Sequence, residues 1–143
     1  MQSVKKRTRD PLATRHAILE ASSSLFAQQG ADSVSVSAVA NLAGLNRGTA
    51  YQHFPSREEL IAATIEWVSM RMFRAVYGDP QTIGERRVEE VDVPETMHRL
   101  SVFAMENAEL CRSWLLQILA SENPVADPFW KEFQGSLERF AQT

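Results

Sequence analysis

Two short stretches of helical character, residues 35–43 and 46–54, flank a single glycine, Gly44, and nothing else in the chain so narrows what it can fold into. The first opens at Ser35, a residue type that caps helices through its side-chain oxygen. Val34 before the cap and Val39 after it stand where a hydrophobic staple would pack. Val36, Val39, Ala40 and Ala43 make a short apolar face. Gly44 breaks that helix, Asn46 offers a second cap, and Pro55 closes a second helix at about 47–53. Two short capped helices joined by a tight, glycine-containing turn predict a helix-turn-helix over residues 35–54.

The remaining punctuation predicts helices throughout. Asp10-Pro11 reads as a cap followed by proline at the first helical position. Ile18, Ala21, Leu25 and Phe26 follow at helical spacing, and Gly30 stops a first helix of about 11–29. Ser56-Arg57-Glu58-Glu59 is a capping box that starts a long fourth helix, residues 57–77. Its expected buried stripe is Leu60, Ile61, Ile65, Val68, Met72 and Val76. Gly78-Asp79-Pro80 ends it, and the polar, acidic residues 79–92 read as a loop. Pro94 opens a helix with Met97, Leu100 and Ala104 on one side and Val102 and Phe103 beside them. A further helix, about 108–121, carries Leu110, Trp114, Leu115, Ile118 and Leu119, and Asp127-Pro128 launches a last one through Phe129, Trp130, Phe133 and Leu137. There is no convincing strand pattern and no internal repeat. The expected fold is all-α, with a three-helix head over residues 1–57 and a helical domain over 58–143 connected through the fourth helix.

Composition excludes several function classes. One cysteine, Cys111, rules out an internal disulfide and suits a reducing cytoplasm. The polar, basic start does not read as a signal peptide, and no apolar run approaches the roughly 20 residues that span a bilayer. A cytoplasmic protein with no membrane partner is expected. His16, His53 and His98 are widely spaced, and no metal-ligand spacing, phosphate-cradling glycine loop or nucleophile elbow occurs. No metal, no cofactor and no enzymatic activity are expected.

The charge balance is uneven. The net charge is −3, yet residues 1–57 carry seven basic and three acidic residues, against eight and fifteen in residues 58–143. Clustered Lys and Arg at one end suit contact with a polyanion. The helix at 47–53 is also unusual for a packing helix: Arg47, Thr49, Tyr51, Gln52 and His53 crowd donors and acceptors into two turns. Gly48 within it costs about 1 kcal/mol relative to Ala, which suits a helix start that must approach another surface closely. Arg47 would fork onto guanine and Thr49 would meet a thymine methyl. Tyr51 and His53 would hold phosphate oxygens, as would the positive end of the helix. Ala50 and Phe54 read as core. The reading from residues alone is a duplex-DNA binder. The alternative is a helical protein-interaction module whose acidic half is the binding face, with no salt-dependent affinity for DNA.

From about Thr14 to Ile65 the chain resembles the TetR family of bacterial transcriptional regulators. The resemblance rests on Ile18-Leu-Glu-Ala, Leu25-Phe, Gly30, Ser35-Val, Val39-Ala, the string from Ala43 to Phe54, and Pro55-Ser-Arg-Glu-Glu-Leu60. It implies that Ser35 caps its helix near a phosphate, and that Arg47, Gly48 and Thr49, introduced by Asn46, enter the major groove. It implies backbone contacts from Tyr51, His53 and Arg57, and a minor-groove arm at Lys5, Lys6 and Arg7. The family usually has a larger residue where this chain has Ala50, which implies lighter packing behind the reading helix. The resemblance further implies a ligand-responsive repressor that binds a palindromic operator as a homodimer, with an unidentified small-molecule effector in the C-terminal domain. That domain is short for the family.

Candidate pocket residues are apolar or aromatic ones after residue 93: Met97, Phe103, Trp114 and Trp130, with His98, Met105 and Phe129 as further candidates. Aromatics and methionines at helical spacing are more often core. Cys111 would sense oxidants only if a neighbouring cation or helix N-terminus lowered its pKa.

Overall fold

The computed structural model describes residues 10–85 and 90–142. Among them are seven α-helices and no strand: α1 (Pro11–Gln29), α2 (Val36–Leu42), α3 (Arg47–His53), α4 (Arg57–Tyr77), α5 (Val93–Glu106), α6 (Ala108–Ala120) and α7 (Pro128–Ala141). The all-α expectation holds. Lys5, Lys6 and Arg7 lie outside the described residues.

Six of the seven helix starts among the described residues follow from local chemistry. Asp10, Ser35, Asn46, Ser56, Asp92 and Asp127 each accept a backbone N–H from the first turn of the helix they precede. Such caps satisfy donors that a helix leaves open, and each contributes about 1 kcal/mol. Asp92 therefore starts α5 one residue before Pro94, at Val93. The turn between α2 and α3 is set by Gly44, whose φ of 67° is open to glycine at little cost. It lets the Leu45 N–H return to the Ala40 carbonyl at 2.9 Å.

One apolar core runs the length of the molecule. Val34 and Val39, the expected staple, are both fully buried. So are Ile18 and Phe26 of α1, and Leu60, Val68 and Val76 of α4. Each such side chain is stabilised by about 1.5–3 kcal/mol relative to exposure. The structure widens the expected α4 stripe. Ile61 and Ile65 are only half-buried, while Thr64, Ser69, Phe73 and Tyr77 are buried. The reason is that α4 packs against α1 on one side and against α5, α6 and α7 on others. Its buried polar positions are satisfied: Thr64 donates to the Leu60 carbonyl at 2.6 Å and accepts from Ser22 of α1 at 2.7 Å. On α6 the expected apolar set divides, with Leu110, Trp114 and Ile118 buried and Leu115 and Leu119 exposed.

A second polar network joins α4, α6 and α7. Asp127 is buried, and its carboxylate accepts from the Ser69 hydroxyl at 2.7 Å, the Trp114 indole N–H at 3.2 Å and the Trp130 backbone N–H at 3.0 Å. Ser69 in turn accepts the Phe129 N–H at 3.0 Å. A buried charge is tolerable when its oxygens are met in this way.

Candidate functional site

The α2–α3 pair is held from within and leaves one face of α3 open. The Ser35 hydroxyl accepts the Ala38 N–H at 3.1 Å. Asn46 Oδ1 accepts both the Gly48 N–H at 2.7 Å and the Thr49 N–H at 3.4 Å. Two donors at the start of α3 are thus engaged by the chain itself. Ala50 and Phe54 turn inward and are buried, as the sequence predicts. Arg47, Gly48, Tyr51 and Gln52 are exposed, and Thr49 and His53 half-exposed. The arrangement presents a fork-shaped cation, hydroxyls, an amide and an imidazole on one convex helical face. These are the donor and acceptor types that read base edges and phosphates.

Gly48 has an intramolecular role that sequence reasoning missed. A Cβ there would lie 3.1 Å from Asn46 Oδ1, so a side chain would crowd the cap. Freedom to approach an outside surface and room for the cap favour the same residue.

Arg57 is placed differently from the α3 residues. Its Nε donates to the Val34 carbonyl and its Nη2 to the Ala31 carbonyl, both at 2.8 Å. The guanidinium therefore ties the α1–α2 connection to the start of α4, and three of its five N–H groups remain for other partners. Arg15 of α1 lies over the Phe54 ring at 4.6 Å, within cation–π range, and steadies the residue that ends α3. The sequence shows no signal for that pairing, since it depends on how α1 crosses the end of α3.

A second candidate site lies at the far end of α4. A groove of about 730 Å3 opens between the α4 C-terminus, the segment around Ile83, α5 and α7. Among the expected effector residues, only Met97 lines it. Phe103 and Trp114 are buried in the core, and Trp130 is half-buried beside Phe133. Trp114 is held there by Asp127 and by an edge-on contact with Phe129. Sequence reasoning missed Tyr77, Leu100 and Phe140, which line the groove. Phe133, Leu137 and Phe140 share one face of α7 at spacings of four and three, a signal available in the chain. Burial raises the Tyr77 phenol above its ordinary value, opposed in part by a hydrogen bond with Ser136.

Cys111 is half-buried, and burial pushes its thiol up rather than down. Its sulfur lies 4.0 Å from Met72 sulfur. No group of three or more His, Cys, Asp or Glu among the described residues is placed to hold a metal ion. No described helix is long and apolar enough to cross a membrane.

Comparison with known proteins agrees with this geometry. Residues 18–64 match the family model of bacterial regulatory proteins, tetR family. The chain is 28% identical over 74 residues to the HTH-type transcriptional repressor Rv3405c of Mycobacterium tuberculosis (strain ATCC 25618 / H37Rv), covering 51% of this chain and 39% of that protein. The HTH-type transcriptional regulator Mb3439c of Mycobacterium bovis matches to the same extent. The chain thus spans well under half the length of these curated relatives. In fold it is similar to a transcriptional regulator (TerR/AcrR family) from Aquifex aeolicus VF5, with a TM-score of 0.61 and 24% identity over 90% of this chain and 70% of that one. A protein of Shewanella sp. PV-4 assigned to the tetR family superposes with a TM-score of 0.57 at 24% identity, over 94% and 68%.

Proposed function

We propose that the chain, whose residues 18–64 match the family model of bacterial regulatory proteins, tetR family, is a sequence-specific DNA-binding repressor of that kind that responds to a small molecule. Residues 1–57 are the reading head and residues 58–143 the regulatory domain, with α4 belonging to the latter and connecting the two. Arg47, Gly48 and Thr49 enter the major groove, and Ser35, Tyr51, His53 and Arg57 position the head on the phosphates. Lys5, Lys6 and Arg7 form an arm toward the adjacent minor groove. The protein binds a palindromic operator as a homodimer, with half-sites about 34–36 Å apart or a multiple of that. A relative bearing the printed name of a repressor supports the direction of regulation.

The observation that carries this reading is the outward face of α3. A seven-residue helix that buries only Ala50 and exposes Arg47, Gly48, Tyr51 and Gln52 does little for packing, yet it is capped by Asn46 and packed against α2. Selection of binding sites by the purified chain from a random duplex pool, at near-physiological salt, tests it. Enrichment of an inverted repeat is expected. Weak, salt-sensitive binding without enrichment would remove the homodimer from the proposal. Absence of any binding would overturn it in favour of a protein-interaction module.

A further inference from the structure

The exposed residues of α3 point outward in different directions, and Gly48 marks the part of the helix that can come nearest to another surface. An α-helix turns about 100° per residue, so Gln52 stands about 40° to one side of Gly48 and Tyr51 about 60° to the other. Arg47 and Thr49 lie about 100° away on either side, and His53 about 140°. Gln52 is therefore the side chain most nearly in line with the bare position. Helical side chains lean back over the preceding turn, which directs the Gln52 amide toward the patch that Gly48 leaves open. That patch is empty of other side chains: the one such atom within 4 Å of an added Cβ is Asn46 Oδ1, the cap, at 3.1 Å.

We infer that Gln52 reads an adenine in the major groove. A glutamine amide holds one donor and one acceptor side by side, and adenine alone presents the complementary pair there, N7 to accept and N6 to donate. Guanine offers two acceptors in that place and would leave the amide oxygen facing one of them. Tyr51, with a single hydroxyl, cannot make the paired contact. The Gln52 amide has no hydrogen-bond partner among the described residues, so nothing within the chain is given up when it meets a base. Arg57, by contrast, already holds two carbonyls. The inference deepens the DNA-binding reading and rests on it.

The test is site selection from a random duplex pool by the full 143-residue chain, its Gln52→Ala variant and its Gln52→Glu variant. The unaltered chain is expected to prefer an A·T pair at one position by about 5- to 150-fold. Gln52→Ala is expected to lose that preference and no other, with an unchanged urea unfolding midpoint because the residue is exposed. Gln52→Glu is expected to select C·G at the same position, since a carboxylate accepts from cytosine N4 and cannot donate to adenine N7. Preference rather than affinity is read for that variant, because the added negative charge weakens binding to every duplex. The inference is overturned if Gln52→Ala keeps every base preference, including the case where it weakens all duplexes alike as loss of a phosphate contact would. It is also overturned if the preference lost is for a pair other than A·T, or is the one that Arg47→Ala loses. In each of these cases the unaltered chain still selects a site, so the DNA-binding reading stands. An unaltered chain that selects no site overturns both.

Discussion

Arg47 and Arg57 carry the same charge in the same head, but the fold uses them differently. Arg47 is exposed on the open face of α3. Arg47→Ala is expected to relax the preference for one base, losing about 1–3 kcal/mol of discrimination at one position, read by repeating the site selection. Identical sites selected with equal strength would show that Arg47 does not read bases. Arg57 is half-buried and holds the Ala31 and Val34 carbonyls. Arg57→Ala is expected to lower stability to urea by about 1–3 kcal/mol. Arg57→Lys is expected to recover little, because an ammonium cannot reproduce the fork. If Arg57 also meets phosphate, the Ala variant binds all duplexes more weakly while keeping its base preference. Cys111 illustrates a different limit of residue-level reading. Its sequence neighbour Arg112 cannot lower its pKa in the fold, where burial dominates and raises it. The thiol is therefore expected to react with a thiol reagent more slowly in the native chain than in urea at neutral pH. The raised value means that Cys111 contributes stability that is fully present below its ordinary unfolded pKa and is lost as pH climbs through the raised one.

At the scale of elements, helix starts were legible and helix partners were not. Asp127-Pro128 announces α7 as plainly as Asp10-Pro11 announces α1, because a cap needs only neighbours in sequence. Nothing local reveals that Asp127 is buried and shared with Ser69, 58 residues away, and with Trp114, 13 away. Asp127→Ala removes the cap and strands the Ser69 hydroxyl and the Trp114 indole N–H. It is expected to cost about 2–4 kcal/mol in urea unfolding, with a change in tryptophan emission. Asp127→Asn keeps an accepting oxygen for Ser69 and the Trp130 N–H but turns an amide toward Trp114, so a smaller loss is expected. A cost under 0.5 kcal/mol for Asp127→Ala, the usual size for a surface substitution, would show that the network does not hold α7 to α4. The same long-range logic explains the groove. Phe103 and Trp114 read as pocket residues by type, but the packing of α5 and α6 against α4 places them in the core, and Met97 alone of that set reaches the groove.

The whole molecule is electrically divided, with its basic excess in the half that carries α1, α2 and α3. If that half meets DNA phosphates, affinity is expected to fall steeply with salt, the logarithmic slope steepening by about 0.9 for each phosphate contacted. Measurement of duplex affinity between low and near-physiological salt checks this, and a flat dependence would favour the protein-interaction reading. A single core links both halves through α4, and α1 packs against α4 and α6 alike.

The amino-acid sequence alone determined the helical class, most helix starts, the Gly44 turn and the outward chemistry of α3. Each of these depends on residues within a few positions of one another, where capping, staggered apolar spacing and glycine conformation act. Only the tertiary structure decided that Arg57 braces a loop, that Asp127 is a buried hub, and that Tyr77, Leu100 and Phe140 share a groove with Met97. Those outcomes depend on which helix faces cross in space, and pairwise side-chain contact between distant segments leaves no periodic mark along the chain.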